Sequence, residues 1–120
     1  SELIYINKLL KKNGMLALCT GDVDSFTSKL LGKNWWYWQG QHIQYFTYKS
    51  MNILAKQSGF KHLNTYLYPQ AMNVNQLSDS LRRYALRNLI LVFIKPFFLI
   101  KPIWYLRIPG EMFWIGKKIE

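Results

Sequence analysis

The chain has 120 residues, the length of one small domain, and it carries 16 lysines and arginines against 6 acidic residues, a formal net charge of +10. Half of the residues are hydrophobic and 17% are aromatic, which excludes a disordered basic tail, because such tails lack the apolar surface that offsets the entropy of folding. The single cysteine, Cys19, excludes a disulfide framework, and no apolar run reaches the roughly 18 residues of a membrane span.

The positive charge is spread evenly along the chain. Residues 1–76 and residues 77–120 each hold eight basic and three acidic side chains, so each part contributes +5. A nucleic-acid-binding protein usually concentrates its basic residues in one patch. The sequence therefore does not predict a nucleic-acid partner.

Amphipathic spacing predicts a helix at the start of the chain, with Leu3, Ile6 and Leu10 on its apolar side. A continuous apolar run, residues 15–19, follows between two glycines and predicts a strand covered on both faces. Cys19 belongs to this run, so its thiol is expected to be buried and chemically inert.

Capping residues predict the next two helices. Ser25 is expected to cap a short helix that ends at Gly32, and Thr47 is expected to cap a longer helix that ends at Gly59. Between them lies an aromatic segment, residues 34–42, which holds three of the five tryptophans. This segment is predicted to be a loop.

The remaining chain is predicted to hold two more strands and one long helix. Residues 60–68 alternate and stop at a proline, as a strand does, and residues 71–80 are rich in Asn, Gln and Ser, as a loop is. A helix is expected from Leu81, interrupted by Pro96 and Pro102, before a final strand at residues 112–115. The expected helix has an apolar and a basic face, formed by Leu81, Ala85, Leu89 and Val92 and by Arg83 and Arg87. The alternation predicts an α/β fold with a three-stranded sheet.

Three stretches of the sequence resemble one enzyme family. Residues 9–20, LLKKNGMLALCT, resemble the passage before the fifth strand of class I S-adenosylmethionine-dependent methyltransferases. Residues 24–60 resemble the substrate side of a bacterial subgroup with the pattern LLGKxWWxW…HxxYF…L…GF. The ending GEMFWIGKK, residues 110–118, is similar to the last strand of that subgroup.

The resemblance implies that residues 1–120 are the C-terminal, substrate-side part of a methyltransferase domain. The fold would be a partial Rossmann-like methyltransferase sheet with strands five to seven and their flanking helices. The last strand would lie antiparallel between the other two. Such an enzyme transfers a methyl group to an oxygen or carbon of a small acceptor, and the subgroup points to a sugar or a lipid-linked acceptor.

The cofactor-binding half of the family has no counterpart in this sequence. Class I methyltransferases hold S-adenosylmethionine on a glycine-rich turn after the first strand, and no G-x-G-x-G occurs here. S-adenosylmethionine is therefore expected in the complete enzyme, whereas this part alone is expected to bind no cofactor and to be inactive. Where the subgroup has Thr-Pro, this chain has Thr20-Gly21, which predicts a looser turn.

The candidate site residues lie in and around the aromatic segment. His42 is the candidate catalytic residue, because a neutral imidazole can take the proton from an acceptor hydroxyl as the methyl group is transferred. The candidate substrate-binding residues are Asp22, Trp36, Trp38 and Tyr45.

Each of these roles has a structural alternative. His42 can instead hydrogen-bond the backbone of its loop, the tryptophans can pack that loop over the sheet, and Tyr45 can belong to the core. His62 lies in a predicted strand and is expected to be structural, and two distant histidines with one cysteine predict no metal site.

Residues 80–107 are predicted to be a basic amphipathic helical segment, with six basic residues and no acid. Such a segment can lie in the interface of an anionic membrane, or it can be a helical cover over the sheet or the acceptor site. The alternative function for the chain is accordingly a peripheral membrane or partner-binding module without catalysis.

The expected partners and location follow from these predictions. A small-molecule acceptor, an anionic membrane surface and a second copy of the chain are the candidate partners. The second copy would pair with the strand at residues 15–20, which is expected to be an exposed edge of the sheet. The expected location is the cytoplasm, including the inner face of its membrane.

Overall fold

The computed structural model describes residues 2–38, 40, 42–84, 87–100, 102–107 and 109–119. The chain forms two compact units, Ser1–Tyr68 with Pro109–Glu120 and Pro69–Ile108. The helices are α1 (Glu2–Leu9), α2 (Phe26–Leu31), α3 (Tyr48–Gln57), α4 (Val74–Ser80), α5 (Arg87–Ile94) and α6 (Phe97–Ile100). The strands are β1 (Met15–Gly21), β2 (Phe60–Leu67), β3 (Gln70–Asn73), β4 (Ile103–Leu106) and β5 (Glu111–Lys118).

The first unit is a mixed α/β structure built on a three-stranded sheet. Its strand order is β1-β5-β2, and β5 is antiparallel to both neighbours, so β1 and β2 run parallel to each other. The last strand therefore lies between the other two, as expected. The connection from β1 to β2 contains α2, the aromatic segment and α3.

Local sequence signals account for the helices of this unit. The side chain of Ser25 caps α2 by accepting from the backbone N–H of Ser28, and α2 ends at Gly32. Thr47 and Ser50 form a capping box at the start of α3, in which each side chain accepts from the backbone N–H of the other. Both predicted caps are confirmed.

The core lies between the sheet and helices α1 and α3. It is formed by buried residues of all of these elements, namely Leu3, Met51, Ala55, Phe60, Met112 and Trp114. The indole N–H of Trp114 donates to the side-chain oxygen of Asn52 at 2.7 Å, which ties β5 to α3. The Trp114 ring also lies over Gly116, where a Cβ atom would collide with it.

The prediction that β1 is covered on both faces is wrong. Exposure alternates along the strand, with Leu16 and Leu18 packed against the core and Met15, Ala17 and Cys19 exposed. Small and flexible apolar residues occupy the uncovered face, so the run looks continuous in the sequence. Cys19 is thus exposed, contrary to expectation.

The second unit contains structure where a loop was predicted. Residues 71–80 belong to β3 and α4, because Asn73 and Gln76 form a capping box that starts α4 at the buried Val74. The same polar residues that favoured a loop therefore serve as a helix cap. Strand β3 pairs antiparallel with β4, a strand that sequence analysis missed.

The long helix predicted from Leu81 is divided into shorter pieces. A single 3₁₀ turn covers Leu81–Arg83, and α5 and α6 are separated at Pro96, as expected for a proline. Leu89 and Val92, two residues of the predicted apolar face, are exposed, and Ala85 lies outside the described residues. The segment 80–107 is helical in α5 and α6 and extended in β4.

Within the described part of the chain, no helix is both long and apolar enough to cross a bilayer.

Candidate functional site

An aromatic cluster forms around Trp35, which is only 1% exposed. Its ring centroid lies 6.0 Å from that of Trp36, 5.0 Å from that of Tyr37 and 5.4 Å from that of Trp38. Residues 36–38 form one turn of 3₁₀ helix, which turns these three side chains around the buried ring. The aromatic segment therefore packs mainly against itself.

Two candidate site residues join this cluster from the following loop. His42 stacks on Tyr37, with centroids 4.5 Å apart and ring planes at 27°. Tyr45 contacts Trp38 with centroids 4.5 Å apart. The structure thus brings together four of the predicted residues, and we call Trp35, Trp36, Tyr37, Trp38, His42 and Tyr45 the aromatic cluster.

Gly21 at the end of β1 allows this cluster to approach the sheet. A Cβ atom on Gly21 would lie 2.8 Å from the Tyr37 ring and 3.0 Å from the Trp35 ring, closer than carbon atoms pack. The glycine is needed for this close approach.

Asp22 is held in place by backbone hydrogen bonds on two sides. Its N–H donates to the carbonyl of Gly110 at 2.9 Å, and the next residue, Val23, donates to the carbonyl of Phe46 at 2.9 Å. A carboxylate oxygen of Asp22 accepts from the N–H of Asp24 at 3.0 Å. The position of this carboxylate at the end of β1 is therefore fixed by its neighbours.

Glu111, the first residue of β5, was missed by sequence analysis. It is 6% exposed, and its carboxylate accepts a hydrogen bond from the indole N–H of Trp36 at 3.0 Å. The only sequence signal for it is the scarcity of acids, since Asp79 is the one other carboxylate between residues 25 and 111. Its burial depends on the tertiary packing of the aromatic cluster over the start of β5.

Burial and the charge of Glu111 act on two acidic side chains nearby. The pKa of the Tyr37 phenol is raised far above its ordinary value, first by burial, then by Glu111 and Cys19. The pKa of the Cys19 thiol is raised above 9.0, first by partial burial of the side chain and then by Glu111. Both groups therefore stay protonated at neutral pH, so neither is suited to act as a base or a nucleophile.

The indole nitrogen of Trp35 is buried and has no hydrogen-bond partner among the described residues. An unsatisfied buried donor costs about 1–3 kcal/mol. Trp35 is thus held by ring packing, whereas Trp36 is held by its hydrogen bond to Glu111.

An open cleft of about 480 Å³ lies at the carboxyl ends of β1 and β2, and we call it the end cleft. In sheets with parallel strands, ligands bind outside the carboxyl ends of those strands. The lining combines carboxylates, hydroxyls, an amide and aromatic rings: Asp22, Ser25, Phe26, Tyr48, His62, Asn64, Thr65, Tyr66, Leu67, Pro109, Gly110, Glu111 and Met112.

The end cleft and the aromatic cluster meet at Glu111, which lines the cleft and binds Trp36. Of the residues predicted from the sequence, Asp22 lines the cleft directly. His62 also faces it, with its Nε2 atom 3.0 Å from the hydroxyl of Thr65 and its ring edge-on to Tyr48. These bonds agree with the structural role predicted for His62.

The described residues contain no group of three or more His, Cys, Asp or Glu side chains that could hold a metal ion.

Comparison with known proteins adds no relative to this picture. No family model matches the chain, and no curated protein is significantly similar to it. What the chain does is therefore inferred from its strand order, its aromatic cluster and its end cleft.

Proposed function

We propose that the chain is the substrate-side part of a class I S-adenosylmethionine-dependent methyltransferase. The strand order is the observation that carries this proposal. A last strand inserted antiparallel between two parallel strands is what the resemblance implies for strands five, seven and six, and β1, β5 and β2 have this order. Helices α1 and α3, both packed on one face of the sheet, agree with it.

The residues of this chain do not fit the cofactor. A glycine-rich turn lets a ligand approach backbone N–H groups, yet the two closest glycines of the sequence, Gly110 and Gly116, are six positions apart. S-adenosylmethionine, which supplies the methyl group, would be bound by residues outside residues 1–120. The residues of this chain would instead bind the acceptor.

The end cleft suits a small acceptor that carries hydroxyl groups. Carboxylates such as Asp22 accept hydrogen bonds from hydroxyls, and Ser25 and Asn64 add further polar groups. Tyr48 and Tyr66 supply ring surface against which a sugar or another flat molecule can lie. A free or lipid-linked sugar is the acceptor class that combines these features.

His42 is the base that the resemblance implies, although it lies in the aromatic cluster and not among the residues that line the end cleft. An acceptor hydroxyl loses its proton when its oxygen is methylated, and the imidazole of His42 would accept that proton. Stacking on Tyr37 holds the plane of the His42 ring, and exposure lets the ring pass the proton on to water. Tyr37 itself remains neutral because its pKa is raised, so it acts as a platform for the imidazole.

A non-catalytic binding module is the second candidate function. The absence of a glycine-rich turn from the sequence favours it, since a chain without a cofactor site does no methyl transfer alone. The reading frame upstream of Ser1 distinguishes the two. The proposal expects a strand followed by a glycine-rich turn there, and a frame without one contradicts it.

The catalytic role is tested in the protein translated from that complete frame. His42→Ala is expected to lower the rate of methyl transfer by about 10²–10⁴-fold, the usual contribution of a positioned base. The rate is measured as the transfer of a tritiated methyl group from labelled S-adenosylmethionine to sugar acceptors. Lys49→Ala, at an exposed position of α3, is the control and should leave the rate unchanged. If the rate of His42→Ala equals that of the control, the imidazole has no catalytic role.

A further inference from the structure

The unit Pro69–Ile108 carries an unusual number of exposed large apolar side chains. Eight of them fall within 17 residues, on α5, α6 and β4: Leu89, Val92, Phe93, Phe97, Leu99, Ile100, Ile103 and Tyr105. Phe93 is 71% exposed, Ile100 75% and Leu99 92%. Single exposed apolar residues are common on soluble proteins, but a contiguous set marks a surface that contacts something apolar.

The exposed residues alternate with residues that face inward. On α5, Leu89, Val92 and Phe93 are exposed at helical spacing, while Ile90 and Ile94 are half-buried. On β4, Ile103 and Tyr105 are exposed, whereas Trp104 packs edge-on against Phe97 with centroids 5.4 Å apart. Each of these elements therefore combines side chains that pack within the unit with apolar side chains that are exposed.

The sequence of the same unit is predominantly basic. It holds six basic residues and one acid, a net charge of +5: Arg82, Arg83, Arg87, Lys95, Lys101 and Arg107 against Asp79. Asp79 is paired with Arg82 at 3.1 Å. The exposed apolar side chains thus lie in a stretch of positive charge, and lysines and arginines near an anionic bilayer favour binding to it.

The lengths of the elements fit the surface of a bilayer. The eight residues of α5 extend about 12 Å, less than half of the roughly 30 Å hydrocarbon layer. Apolar side chains beside basic ones, on short elements, bury in the headgroup region while the charges stay among the lipid phosphates.

We propose that the unit Pro69–Ile108 lies on an anionic membrane surface, with Phe93, Leu99 and Ile100 inserted at the boundary between headgroups and acyl chains. This inference stands on the exposure and charge of the second unit. It does not depend on the methyltransferase proposal.

Vesicle co-sedimentation of the whole chain tests the proposal. We expect binding to vesicles that contain phosphatidylserine and much weaker binding to vesicles of phosphatidylcholine alone, with a decrease as salt is raised. Failure to bind the phosphatidylserine vesicles, or equal binding to both kinds, would overturn it.

Matched variants locate the binding surface. Leu99→Ser and Ile100→Ser should each weaken vesicle binding about tenfold or more, because burial of such a side chain contributes about 1.5–3 kcal/mol. Ile43→Ser is the control, since Ile43 is 97% exposed but belongs to the first unit, and it should bind like the unaltered chain. Both inserted positions are exposed, so circular dichroism should show unchanged folding.

Equal binding by Leu99→Ser, Ile100→Ser and Ile43→Ser contradicts the proposal. So does a light-scattering mass that falls with Leu99→Ser when no vesicles bind, because the surface would then join copies of the chain.

Discussion

Glu111 is the residue that connects the two parts of the candidate site. Its buried carboxylate accepts from Trp36 in the aromatic cluster and lines the end cleft. The same charge raises the pKa of the Cys19 thiol, second to burial. Because the sequence has a single cysteine, the reactivity of that thiol reports on Glu111 without interference.

Glu111→Gln is expected to lower the pKa of Cys19. The variant removes the negative charge that disfavours the thiolate, while its amide oxygen can still accept from Trp36. The pH midpoint of alkylation by iodoacetamide measures the change. Asp24→Asn is the matched control, because Asp24 is an exposed carboxylate paired with Lys29 at 3.5 Å. A midpoint that moves equally in both variants, or in neither, would contradict the role of Glu111.

The candidate residues differ in how well sequence predicts them. His42, Trp36, Trp38 and Tyr45 lie within ten positions of one another, so local chain geometry brings them together around Trp35. Glu111 joins them from 75 positions away from Trp36. Such a contact depends on β5 entering the middle of the sheet, which local patterns do not encode.

At the level of elements, β1 is one of the two edge strands of the sheet. Within the described residues it pairs with β5 on one side only, and Met15, Ala17 and Cys19 are exposed on its uncovered face. Unpaired backbone groups beside an apolar face favour pairing with another strand. Strand β1, which the sequence predicted to be an edge of the sheet, is an edge strand.

Self-association through β1 is therefore expected. Light scattering should give a mass that rises with concentration, and Ala17→Lys should lower it toward the monomer because a charge on an edge strand opposes pairing. Gln57→Lys adds the same charge at the exposed end of α3 and should leave the mass as it is. A strictly monomeric mass at high concentration would contradict this expectation.

The elements that were predicted have strong local signals, and those that were missed have ambiguous ones. The Ser25 and Thr47 caps each start a helix where the sequence placed it. Asn73 and Gln76 were assigned to a loop, because polar residues of this kind start turns and helices alike. Strand β4 is only four residues long and lies in apolar sequence between Pro102 and Pro109. Its identity as a strand depends on pairing with β3.

At the scale of the whole molecule, the sequence of each of the two units carries a net charge of +5. The second unit combines this charge with exposed apolar side chains, whereas the first unit contains the candidate site. The two units thus support different proposals, membrane contact for one and acceptor binding for the other. Each proposal can fail without the other.

If residues 1–120 are the acceptor-binding part of a methyltransferase, as we propose, S-adenosylmethionine is bound by residues outside them. Calorimetric titration of S-adenosylmethionine, into residues 1–120 and into the protein from the complete reading frame, tests it most directly. We expect no binding by residues 1–120 and binding by the longer protein. Tight binding by residues 1–120 alone, or none by the longer protein, would contradict it.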